Sequence, residues 1–405
     1  MKAKMRETIV LVAVFMAGFA TACSDTQTRA LSPGFNTTAS PYPKPSRNEP
    51  NVSWNQRAAA AYLDQREDWW MGWPEAERDH HTFCVSCHTA MPYALSRPEL
   101  RAALAEAGPS PAERKLIEDV KERVQLWNEI GPFYTDEGYG AHKAVESRGT
   151  EAVLNALILS SYDSQNGRLS DETRAAFSIM WAQQLTKGSN KGAWPWLHFD
   201  LKPWEANESP YYGATLAAAA VGLAPQNYRA TPEIQANLKI LQNYLDREYG
   251  AQSTVNRVLL LYAGAKLPGF LAPERRESIL KEVLSKQRAD GGWSLSSLAG
   301  TWRGWSLASF LTTWKRTDGT PEETASDGYA TGLVTYTLEL NGVSRQNAQL
   351  QEGLSWLERN QNRQEGFWTG YSLNKRREPS SNVGRFMSDA ATAYAVLALS
   401  ESNRN

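Results

Sequence analysis

The sequence predicts an all-α fold: a helical N-terminal segment packed on an α/α toroid of helical hairpins. Three observations carry this. First, Gln184…Gly192-Ala193-Trp194, Gln287…Gly291-Gly292-Trp293 and Gln361…Gly366-Phe367-Trp368 repeat one pattern, each after a helical stretch. Second, each is followed after a loop by a helix rich in small residues: Tyr211 to Val221, Tyr329 to Leu338 and Ala390 to Leu399. Helices apolar on most faces are buried inner helices. Third, the stretches before the Gln are amphipathic; Ala348–Asn360, with Leu350, Leu354 and Leu357, suits an outer layer. Inner and outer helices alternating every 45–75 residues or so stack neighbour on neighbour. Weaker helices near 147–161 and 254–264 extend the series.

Taken from the N-terminus, Lys2, Lys4 and Arg6 precede an apolar run, Ile9 to Ala22. Residues 1–22 have the proportions of a signal peptide and are too short to span a bilayer comfortably. Ala20-Thr21-Ala22 before Cys23 resembles a bacterial lipoprotein signal, in which Cys23 is lipidated; Ala20-x-Ala22 equally suits ordinary signal peptidase. Of three Cys, two belong to the motif below, and lipidation accounts for the third. Residues 23–52, rich in Ser, Thr, Pro and Asn, read as a tether. The expected location is the periplasm, with membrane attachment through the lipid anchor. Net charge is −1 with both signs well mixed, so nothing suggests nucleic-acid binding and no nucleic-acid partner is expected.

Residues 53–145 carry Cys84-Val85-Ser86-Cys87-His88, a C-x-x-C-H spacing. Two thiols three positions apart can each form a thioether to a haem vinyl group, and the following His can ligate the iron from the proximal side. The expected cofactor is one covalent haem c, bound by Cys84, Cys87 and His88. The alternatives are a disulfide and half of a zinc site, and a zinc site normally takes four ligands. Helices near 55–70 and 111–130 flank the motif, and Trp69, Trp70 and Trp73 are haem-packing or plain core residues. His142 is the candidate distal ligand, with an ordinary surface or capping His as the bland reading; an open site or a Met from the repeats, the first being Met180, are the other choices.

The Gln…Gly-x-Trp elements are similar to the QW repeats of the squalene–hopene cyclase and protein prenyltransferase superfamily, over 146–400. The resemblance implies an α/α toroid in which Gln287, Trp293, Gln361 and Trp368 tie outer helices together. The bland alternative is a helix C-cap with a packing Trp. The chain departs from the family's chemistry. It lacks the cyclases' Asp-x-Asp-Asp acid, and no Cys follows Cys87 to complete the transferases' zinc site. The starts of inner helices offer Asp327, Asp389 and Glu205 as cavity candidates, and the Trp-rich stretch Trp194 to Glu205 adds His198. Asp327 and Asp389 also stand where N-caps belong.

The function these features predict is an exported monohaem c-type cytochrome with a cyclase-like toroid. It would run redox chemistry or electron transfer involving an apolar ligand, with an unidentified redox partner protein. The alternative is a non-catalytic electron-transfer or interaction lipoprotein that uses the toroid as a docking scaffold. As an enzyme it would be a haem c-dependent oxidoreductase, not a cyclase or prenyltransferase.

Overall fold

The computed structural model describes residues 54–299 and 316–402. The expected signal peptide, Cys23 and the tether of residues 1–52 lie outside them. Among the described residues there is no strand; the only extended pairings are two isolated bridges, Glu77–Phe83 and Leu201–Glu205. The helices are α1 Gln56–Met71, α2 Ala90–Ala103, α3 Pro111–Gln125, the single turn α4 Asp136–Tyr139, α5 Lys143–Asn166, α6 Asp171–Ala182 and α7 Ser209–Leu223. Then come α8 Gln235–Glu248, α9 Thr254–Lys266, α10 Pro273–Ser285, the single turn α11 Leu295–Leu298, α12 Gly328–Leu340, α13 Ala348–Asn360 and α14 Phe386–Ser402. No helix among the described residues is long and apolar enough to cross a membrane.

Among the described residues, six helices close a ring. Helix α2 packs on α5, α5 on α7, α7 on α9, α9 on α12, α12 on α14, and α14 returns to α2. Outside them, α1 covers α2 and α14, α3 and α6 cover α5, α8 covers α7, α10 covers α9, and α13 covers α12. This is an α/α toroid of inner and outer helices. Composition explains the layering. In α7 every residue from Tyr211 to Val221 is buried, and Ala, Gly and Thr let its neighbours approach on all sides. In α13 only Leu350, Gly353, Trp356 and Leu357 are buried, one stripe of an otherwise polar helix. The 53–145 segment and the repeats share one compact unit, and α2 is itself one of the ring's helices.

The repeated Gln and Trp clasp the outer layer in one way three times. Gln184 Nε2 donates to the carbonyls of Gly192 and of Asn237 in α8, at 3.0 and 3.2 Å. Gln287 Nε2 donates to Gly291 and to Gln349 in α13, at 2.8 and 2.7 Å. Gln361 Nε2 donates to Gly366 and to Asn55, both at 3.1 Å, and Asn55 N donates back to Gln361 Oε1 at 2.6 Å. Each Trp indole N–H returns to its own outer helix: Trp194 to Met180 O, Trp293 to Val283 O and Trp368 to Leu357 O. The glycines at the clasp, Gly192, Gly291 and Gly366, have φ of +103°, +89° and +90°. A Cβ there would strike the carbonyls of Ile240, Glu352 and Ala58 in the next outer helix, so only Gly allows both the turn and the approach. Gln361 thus ties the last repeat to the N-cap of α1, across 306 positions of sequence.

Candidate functional site

Cys84–His88 forms the turn that enters α2. Ser86 Oγ accepts the backbone N–H groups of Thr89 and Ala90 at 3.1 and 3.0 Å, the work of an N-cap. Behind the turn, Cys84 N donates to Ala76 O, and the Trp70 indole donates to Cys84 O at 2.5 Å. Phe83 N donates to Asp119 of α3. Arg123, fully buried, reaches Thr82 Oγ1 and Glu151 Oε1 at 2.6 and 2.7 Å and lies over the Phe133 ring. The turn is therefore pinned to α1, α3 and α5 before any ligand is considered.

Cys84, Cys87 and His88 line one pocket with Trp70, Tyr134 and Phe133, and Glu151, Leu197 and Glu205 face it from the other parts of the ring. Both thiols are free and buried. Burial pushes the Cys84 thiol up to about 12 and the Cys87 thiol well above its ordinary value, so both stay protonated at neutral pH. Glu205 is pushed up to about 7 by burial, against the opposing pull of Lys143.

His88 is held from two sides. Its ring stacks on Phe386 with centroids 3.8 Å apart, and Trp70 meets it edge-on at 4.9 Å. Its Nδ1 lies 2.8 Å from Thr89 Oγ1. That hydroxyl donates to Asp389 Oδ2 at 2.9 Å, so towards His88 it is an acceptor and Nδ1 carries the proton. Asp389 is buried on α14, bound by Arg66 Nε at 2.7 Å, Arg66 Nη2 at 2.9 Å and the Tyr62 hydroxyl at 2.8 Å. Burial drives the His88 pKa down to about 3, with Arg66 adding to it, so the ring is neutral. Nε2 has no hydrogen-bond partner among the described residues and keeps its lone pair.

The other sequence candidates fall elsewhere. Asp327 is the N-cap of α12, accepting from Ala330 N at 2.9 Å and Leu295 N at 2.6 Å. His198 lies 3.2 Å from Asp200 Oδ1, and Lys143 binds its carbonyl; it does not line the pocket. Of the four cavity candidates only Glu205 reaches it. His142 is exposed at the N-cap of α5, with a left-handed φ of 71°, and does not line the pocket. Met180 is buried in outer helix α6. Thr89 carried no sequence signal beyond its adjacency to the motif, and the Thr89–Asp389 pair spans 300 positions.

The donor set suits a haem held by two thioethers and an imidazole, since both thiols and an uncommitted ring nitrogen share one pocket. The room is that of the closed protein, a cavity of about 40 Å³. A ligand of haem size fills several hundred Å³, roughly 300–1,000, so the aromatic walls must part to admit it. No group of three or more His, Cys, Asp and Glu side chains among the described residues is arranged to hold a bare metal ion.

No family model matches the chain. No curated protein sequence matches it. Among solved structures, it is similar to a possible member of the GH105 family from Salmonella enterica subsp. enterica serovar Paratyphi A str. ATCC 9150. Identity is 12%, covering 87% of this chain and 83% of that one, with a TM-score of 0.30. At that level the likeness carries no argument.

The function expected from the motif is corrected here. The structure shows a helical toroid, and nothing in it supports a cytochrome that transfers electrons, redox chemistry on an apolar ligand, or a non-catalytic electron-transfer lipoprotein that docks partners on the toroid. The physical reason lies in the ligands. A six-coordinate electron-transfer iron takes a second strong axial ligand. His142 is on the surface, Met180 is in the outer layer, and among the described residues the pocket lining holds no His or Met besides His88.

Proposed function

We propose that the pocket between the C-x-x-C-H turn and Glu205 is the toroid's binding site, and that it holds a covalent haem for the capture of small ligands. The single observation that carries this is the state of His88: neutral, with Nδ1 committed to Thr89 and Nε2 free, beside two buried free thiols. Cys84 and Cys87 would hold the group through their sulfurs and His88 through Nε2. When bound, a haem iron with one imidazole ligand supplies an open coordination position.

The chain's own residues do the rest. Trp70, Phe133 and Tyr134 wall the pocket with aromatic rings. Glu205, with a pKa near neutrality, can donate or accept a proton at a ligand in the pocket. In the same reading the protein is exported to the periplasm and anchored through lipidated Cys23. Mass spectrometry of the mature N-terminus tests that part; an unmodified Cys23 would leave a plain periplasmic protein.

The central test is denaturing electrophoresis with haem staining, followed by carbon monoxide difference spectra. Haem should stay with the denatured chain, Cys87→Ala should reduce staining, and carbon monoxide should shift the reduced spectrum. Haem-free protein from cells with a working attachment apparatus, or a reduced spectrum indifferent to carbon monoxide, would overturn the reading.

A further inference from the structure

Outside the pocket, the feature with the most geometry behind it is the buried chain that runs from α1 through α14 to the motif. Arg66 and Tyr62 of α1 fix both oxygens of Asp389, and Asp389 accepts from Thr89, which accepts from His88. Every member up to Thr89 is 3% exposed or less. Arg66 is braced further by Asn382, through Oδ1 at 2.9 Å and the carbonyl at 2.8 Å, and it lies over the Trp69 ring. The carboxylate therefore has one geometry, and the Thr89 hydroxyl proton has one acceptor.

We propose that Asp389 is a positioning residue for His88: acting through Thr89, it fixes the ring as its Nδ1–H tautomer and aims the Nε2 lone pair into the pocket. This deepens the reading given above and rests on it only for the identity of the group that Nε2 meets. The physics is that of an outer-shell partner. A ring nitrogen ligates only when its other nitrogen carries the proton, and an acceptor behind that proton fixes both the ring's orientation and its basicity. A lone Thr hydroxyl would not choose between tautomers, because it can donate or accept with equal ease. The carboxylate behind it removes that freedom. The residue that controls the ring is therefore on the last inner helix, while the ring itself precedes the first.

Thr89→Val keeps the shape of the side chain and removes the relay; Thr89→Ser keeps the hydroxyl. Full-length protein carrying ¹⁵N-histidine is compared by long-range proton–nitrogen correlation, with the His88 signals identified by their loss in His88→Gln. Mass spectrometry of the same samples reads whether a haem is attached. In haem-free protein, wild type and Thr89→Ser should show His88 as the Nδ1–H form, and Thr89→Val should shift it to a mixture of both tautomers. In haem-bearing protein, the iron–imidazole stretch of the reduced form should fall in Thr89→Val and recover in Thr89→Ser. A wild-type Nε2–H tautomer, or a Thr89→Val variant indistinguishable from wild type by these readouts, would overturn the relay. A Thr89-dependent tautomer in protein that never acquires haem would uphold the relay and sink only the haem reading. Asp389→Asn serves as the second variant, expected to match Thr89→Val in its tautomer; if it does not fold, the Thr89 pair alone decides.

Discussion

Asp327 shows how a cavity candidate read from the sequence also caps a helix. It is buried at the start of an inner helix, and burial raises its pKa to about 7 although the N–H groups of Ala330 and Leu295 pull the other way. The folded state therefore holds this proton more tightly than the unfolded chain does. Its contribution to stability is full below the unfolded value, near pH 4, and is lost as pH rises through the folded value, about 7. Asp327→Asn should flatten this part of the pH dependence, at a cost of about 1 kcal/mol for one lost acceptor. Melting temperatures of the two proteins from pH 4 to 8 check this; parallel curves would refute it. The same burial argument separates Glu205 from the rest: it alone of the acidic candidates faces the pocket. Its position is set by the turn of Leu201 to Glu205, and nothing in the local sequence announces where that turn is delivered.

At the scale of elements, the clasp makes a graded prediction. Gln361→Ala removes three hydrogen bonds to Asn55 and Gly366, each worth about 1 kcal/mol net, so the loss should be roughly 2–3 kcal/mol. Gly366→Ala adds a left-handed penalty and a collision with α1, roughly 2–4 kcal/mol together. Denaturant unfolding measures both, and amide exchange should place the earliest opening at α1. An effect below about 0.5 kcal/mol for either would mean that the clasp is ornamental. Exchange at α8 should stay unchanged, because Gln184 holds it independently. These hairpins were legible in sequence because Gln, Gly and Trp each have one job at one place. The helices near 55–70 and 111–130 were legible too, appearing as α1 and α3. What was not legible was α2 as a ring member. Its sequence, Ala90-Met-Pro-Tyr-Ala-Leu-Ser-Arg-Pro98, lacks the small-residue run of the others, and its neighbour α14 lies about 300 positions away.

For the molecule as a whole, closure of the ring depends on the segment that carries the motif. Remove residues 54–145 and the apolar faces of α14 and α5 that α2 covers are left bare. A fragment of residues 146–402 should therefore be insoluble or lack a cooperative melt, and a fragment ending near Tyr139 should fail to protect its amides. Either fragment folding alone with native stability, by calorimetry, would show that the ring is two separable bodies. The ring also explains why the fold class was readable while the site was not. Hairpin repeats are local patterns, whereas the pocket is assembled from α1, the 84–88 turn, Phe133 and Tyr134, α5 and the 197–205 turn, which only the folded ring brings together.

The seam between Asn55 and Gln361, with Asp389 beside it, also has a meaning in time. The ribosome completes the C-x-x-C-H turn about three hundred residues before Phe386 and Asp389 emerge. Contacts so distant in sequence form late. During synthesis the His88 ring therefore lacks the Phe386 ring that stacks on it in the folded protein. The mature pocket has room for a water or two; the nascent one is open. The free thiols are most open before the ring shuts, and the docking of α14 against α2 ends that interval.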